Sequence, residues 1–119
     1  MTKSHLLGAE AERRALRYFL AKNYRLLEKN YRFQKAEVDL ILLKEDVLVV
    51  VEVKVRSTHY FGEAESFVSQ KKIQLLVMAI DHYIQKNQLD VEVRFYVLAY
   101  HVDGNHWESK HLNSAFYFF

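Results

Sequence analysis

Cysteine is absent from the 119-residue chain. That excludes disulfides and thiolate metal sites, and it points only weakly to a reducing compartment. No apolar run approaches the roughly 20 residues that a membrane-spanning helix needs. The stretch MTKSHLLGAEAERR has no apolar core followed by a small-residue cleavage site. A secretory signal is therefore not expected, and the cytoplasm is the expected compartment. Repeats, linkers and low-complexity segments are lacking, so residues 1–119 read as one domain, long enough to bury a core unaided. Excess charge of one sign is also scarce, since 17 Lys and Arg against 15 Asp and Glu leave a formal net charge of +2. Such a balance permits a polyanionic partner without demanding one.

What is present is ordinary for a soluble globular chain: 50% hydrophobic and 27% charged residues. Eight tyrosines, eight phenylalanines and one tryptophan could stack on bases, but core and strand positions account for them more simply.

The most informative stretch is Val47–Arg56, VLVVVEVKVR. Val47, Val49, Val51, Val53 and Val55 can share one face of a strand. Leu48, Val50, Glu52, Lys54 and Arg56 share the other. The first half is apolar on both faces, as in a central strand covered on both sides. The second half sets a carboxylate and an ammonium roughly 7 Å apart. A core strand with such an end either leaves the core there or carries a site.

Around it, residues 4–22 read as a helix with Ser4 as N-cap and an apolar stripe of Gly8, Ala15, Leu16, Phe19 and Leu20. Glu10 falls opposite with Arg14 and Arg17 as ion-pair partners. Glu12 points into the stripe, at i+4 from Gly8 and i−4 from Leu16. Helix phase leaves it either at the edge, reaching water or a base, or paired with something in the core. Tyr24–Phe33 reads as a first strand with a bend near Asn30. Glu37–Lys44 reads as a second, with Val38, Leu40 and Leu42 on one face and Glu37, Asp39, Ile41 and Leu43 on the other. Glu45-Asp46 is a hairpin-type turn, so the second and third strands should pair antiparallel. Asp39 then lands beside Glu52 and Lys54.

A polar loop, residues 57–65, leads to a helix over about 66–86 with a stripe of Val68, Leu75, Leu76, Ala79, Ile80 and Tyr83. Lys72 lies within that stripe and Lys71 at its edge. Val91–Val102 reads as a fourth strand, Asp103-Gly104-Asn105 as a turn, and His106–Lys110 as a short edge strand. The aromatic tail LNSAFYFF should dock on the core.

Asp39 and Glu52 on neighbouring strands supply what a hard divalent ion such as Mg²⁺ takes from a protein: one or two carboxylates, with waters and substrate oxygens completing the shell. Lys54 alongside could orient or deprotonate water and counter charge on a phosphate. The plain alternative is a solvated strand end in which Asp39 is a salt-bridge partner. Spacing alone leaves both open.

Asp39, thirteen residues before Glu52-Val53-Lys54, resembles the core of the PD-(D/E)xK nucleases. Over nearly its full length the chain resembles the bacterial YraN-like family, predicted endonucleases distantly similar to archaeal Holliday-junction resolvases. The matching stretches are Gly8-x-x-Ala11-Glu12-x-x-Ala15, Glu37-Val38-Asp39-Leu40-Ile41 and Val51-Glu52-Val53-Lys54-Val55-Arg56. Phe61-Gly62, Val68 with Lys71 or Lys72, Arg94-Phe95 and Asn113-Ser114-Ala115-Phe116 complete them. Departures are Val38 for the motif's proline, Ala36 for a glycine, and Tyr96 for an aspartate. The resemblance implies an α/β, restriction-endonuclease-like fold: a mixed central sheet of about five strands flanked by two main helices. It implies metal-ligand roles for Asp39 and Glu52, a catalytic lysine at Lys54, and a helix glutamate completing the site at Glu12. The implied function is Mg- (or Mn-) dependent endonucleolytic cleavage of DNA, at branched or flapped structures. A non-catalytic nucleic-acid-binding or assembly module on the same scaffold is the alternative.

Arg56, Lys71, Lys72 and Arg94 are candidates for phosphate contacts, which give affinity without sequence information. His59, just past Lys54, could touch substrate. A zinc site at His101 and His106 lacks a third ligand at fitting spacing. Cutting a junction symmetrically would call for a homodimer.

Overall fold

A computed structural model describes residues 3–57 and 69–116. In chain order the elements are α1 (Lys3–Leu20), β1 (Arg25–Phe33), β2 (Ala36–Lys44), β3 (Val47–Arg56), α2 (Gln70–Lys86), β4 (Glu92–Asp103) and β5 (His106–Phe116). The five strands form one mixed sheet in the order β1-β2-β3-β4-β5. β3 is its centre, antiparallel to β2 and parallel to β4, while β1 and β5 are antiparallel edges.

The helices cover opposite faces. Ala11, Ala15 and Phe19 of α1, one per turn, pack on Val49 and Val51, while Leu76, Ala79, Ile80 and Tyr83 of α2 pack on Leu48 and Val50. The valine-rich half of β3 is therefore buried on both sides, as its two apolar faces predict. Among the described residues no helix is long and apolar enough to cross a membrane.

Several boundaries differ from those expected. α1 stops at Leu20, which is 47% exposed, because the chain closes on itself there. Tyr24 N–H donates to Phe19 O at 3.1 Å and Asn23 N–H to Leu20 O at 3.1 Å, with Asn23 left-handed at φ 71°. That is a Schellman cap, and the Tyr24 ring sits edge-on to Phe19 at 5.2 Å, supplying its hydrophobic contact. α2 begins at Gln70, after Ser69, whose Oγ accepts the Lys72 N–H at 3.1 Å. Its core stripe includes Ile73, with Leu75 only partly buried. β5 runs to Phe116 and pairs back as far as Phe95, so much of the expected docking tail is strand. The loop at 58–65, His59, Phe61-Gly62 and Val68 lie outside the described residues.

One difference shapes the site. Simple alternation groups Val38 with Leu40 and Leu42. In the structure Leu40 and Leu42 pack on the α1 face, while Val38 packs with Ile41 on the α2 face. The reversal falls at Asp39. Opposite it, Asn30 is left-handed at φ 54°, and both fall in a gap between the pairs Lys29↔Leu40 and Tyr31↔Val38. Such an interruption of the pleat re-aims a side chain, as bulges do.

Candidate metal and catalytic site

The β2–β3 pairing runs from Lys44↔Val47 to Leu40↔Val51. Beyond that pair, Asp39 Oδ2 accepts the Val53 N–H at 2.8 Å, a carboxylate standing in for the next ladder acceptor. The hairpin thus delivers Asp39 to the charged end of β3. Glu52 follows Leu48 and Val50 on the α2 face and is only 1% exposed, the one buried charged residue among those described. Lys72, one turn before Leu76 on α2, reaches it: Nζ lies 2.6 Å from Glu52 Oε1. The contact is a close charge pair, and no second side chain bonds the Glu52 oxygens among the described residues. Lys54, two residues on, interacts with Asp39, Glu52 and Lys72.

The electrostatics follow from burial of unlike and like charges together. Burial, then the charge of Asp39, pushes the Glu52 carboxyl up to about 7 despite Lys72 and Lys54. Burial also raises Asp39, against the Val53 N–H and the two lysines. Burial and the Lys72 ammonium hold Lys54 below the usual lysine range. For Lys72 burial works against the charge, but Glu52 and Asp39 outweigh it and the group is raised. Glu12 approaches from α1, half-buried, and is raised by burial and then by Asp39, while its hydrogen bond with the Asn30 side chain works the other way.

Asp39, Glu52 and Lys54 are therefore brought within electrostatic reach of one another, and Glu12 from α1 within reach of Asp39. Lys72 joins them and Lys71 does not: Lys71 is exposed, on the wall of a neighbouring cavity. Arg56 is exposed at the end of β3. Arg94 lies opposite Val49, back along the sheet, with its guanidinium 3.0 Å from Glu92. Glu10 pairs with Arg13 as well as Arg14 and Arg17. Sequence reasoning did not single out Asn30 as a partner of Glu12. The available signal was its residue type, since asparagine is enriched at left-handed positions.

The model of an uncharacterised protein family, UPF0102, matches residues 11–99, a span that contains all of these site residues. A UPF0102 protein of Christiangramia forsetii is 43% identical over 119 residues, covering the whole of both chains. One from Flavobacterium psychrophilum is 42% identical over the full length of both, and one from Shewanella loihica 40% identical over 84% of this chain and 88% of its own. The chain belongs to the UPF0102 family. This is the YraN-like family that the sequence motifs resemble.

Whether this UPF0102 site suits a divalent ion is a question about its donors. Among the described residues no three His, Asp or Glu side chains gather as a ready metal cage. Two carboxylates suffice for Mg²⁺, which keeps several of its waters. Both Glu52 oxygens are buried, and a buried carboxylate is costly without a cation beside it. A cation is the partner that chemistry calls for. The donor set of Asp39 and Glu52 fits a hard divalent ion, with Lys72 as the cation on Glu52 in its place.

Proposed function

We propose that this UPF0102 protein is a Mg²⁺- or Mn²⁺-dependent endonuclease hydrolysing DNA phosphodiester bonds, with branched and flapped duplexes as its first substrates to test. The observation that carries the reading is Glu52, a buried carboxylate whose one close cationic partner among the described residues is Lys72, set beside Asp39 at the end of the central strand. Asp39 and Glu52 would hold the ion, which when bound supplies Lewis acidity at the phosphate and a more acidic water. Lys54 would place its Nζ at the phosphate, countering charge there. Burial and the Lys72 charge hold its pKa below that of a free lysine, which eases release of its proton. Glu12, bonded to Asn30, would act behind Asp39. Resolving a junction by two symmetric cuts would need two copies of the chain.

A second reading, a nucleic-acid-binding or assembly module without catalysis, draws on the Lys72–Glu52 contact, which neutralises the carboxylate without a metal. A nicking assay on junction, flap and single-stranded DNA with Mn²⁺ separates the two. The nuclease reading expects product that falls at least about 100-fold in Glu52→Gln. DNA binding with no product from any substrate supports the module instead.

A further inference from the structure

Beside the site, between the β1–β2 turn and the first turn of α2, lies an open cavity of about 330 Å³. Lys35 comes from the turn, Lys71 and Lys72 from the helix, and Ala36, Leu75 and Leu76 form an apolar floor. We infer that this cavity receives a DNA-backbone phosphate flanking the one cut at Asp39 and Glu52, held by Lys35 and Lys71. The inference rests on the nuclease reading for its scissile neighbour, and on its own observations for the contact.

Three lysines line the cavity against a single acidic residue, Glu37, whose carboxylate lies 3.4 Å from Arg32. Lys72 spends its charge on Glu52 at 2.6 Å. Neither Lys35 nor Lys71 is paired with a carboxylate among the described residues, so their charge is available to an anion. They approach from two separate elements, as a clamp on a tetrahedral phosphate requires. The apolar floor gives an adjoining sugar something to lie on and lowers the local dielectric, strengthening the charge contacts. The positive end of α2 adds to the same field. Because Lys72 lines the cavity and also touches Glu52, cavity and carboxylate site are contiguous. A strand in one would run into the other.

The test is the salt dependence of binding to a fluorescent 20-base-pair duplex without added metal, read beside nicking in Mn²⁺. Each lost phosphate contact should lower the slope of log K against log salt by about 0.9. Lys35→Ala and Lys71→Ala are expected to do so singly, the double variant by about 1.8, and Lys35→Arg to restore the slope. Lys86→Ala, in the last turn of α2, should leave it unchanged. Wild-type slopes in both alanine variants overturn the cavity contact, and so does an equal drop in Lys86→Ala. Nicking that persists beside unchanged slopes leaves the nuclease reading intact. Lowered slopes without nicking of junction, flap or single-stranded DNA by wild type sink the nuclease reading and keep the cavity as a phosphate contact. A wild-type protein that does not bind duplex overturns the cavity contact, while the nuclease reading is decided by nicking of junction, flap and single-stranded DNA in Mn²⁺.

Discussion

Glu52 is the residue on which charge, burial and chemistry meet. Its carboxyl is pushed up to about 7 from a usual 4.5, by burial first and by Asp39 second. Between those two pH values the folded chain keeps a proton that the unfolded chain has released. Stability must therefore fall as pH rises through that window, by an amount on the order of 3 kcal/mol at about 1.4 kcal/mol per unit. Below the window both states hold the proton, and above it neither does, so the effect levels off. Glu52→Gln cannot ionise and should lack this fall. Urea unfolding at pH 5 and pH 8 should thus show wild type losing stability relative to Glu52→Gln at the higher pH. The same pH dependence in both proteins would mean that the carboxylate is better solvated than its 1% exposure implies. Asp39, Glu52 and Lys54 were legible as a group because a two-residue turn dictates who faces whom across a hairpin. Lys72 was only half legible: helix phase put it in the apolar stripe, but a carboxylate partner on another element is not written in helix phase.

Among the elements, the helix ends show what periodicity misses. α1 and α2 both close with the chain turned left-handed, at Asn23 (φ 71°) and Gln88 (φ 52°). At the second, Leu89 N–H donates to Ile84 O at 3.0 Å and Gln88 N–H to Gln85 O at 3.2 Å, the same paired pattern as at the first. Asparagine tolerates that conformation, whereas glutamine has no such ease, and glycine is the usual occupant. Gln88→Gly should therefore stabilise the protein by about 0.5–1 kcal/mol, seen as a raised urea midpoint at unchanged slope. A lowered midpoint would show that the Gln88 side chain contributes more than its backbone costs. β2 holds the other lesson. Alternation is read from sequence on the assumption that a strand is regular, so it groups Val38 with Leu40. The gap at Asn30 and Asp39 breaks that assumption where the candidate site lies. The sequence predicts a short β5 because His106–Lys110 gives way to a segment whose composition also suits a docking tail.

For the whole molecule, the valine-rich β3 fixed most of the architecture. A strand apolar on both faces needs a helix layer on each side, and the described residues have one long helix before β3 and one after it. The crossover through α2 makes β3 and β4 parallel, while the short turns make the other pairs antiparallel. The site forms where the β2–β3 pairing ends and both layers come close enough for Glu12 and Lys72 to sense Asp39. That convergence depends on packing angles no periodicity encodes, which is why helix phase alone leaves Glu12 ambiguous. The central claim is that Asp39 and Glu52 together hold a divalent ion. Calorimetric titration of Mn²⁺ into wild type and Asp39→Asn at pH 8 tests it most directly, since Glu52 is then ionised. One site in wild type, weakened at least about 10-fold (about 1.4 kcal/mol) in the variant, is the expected result. Equal binding in the two proteins, or none in either, would contradict it.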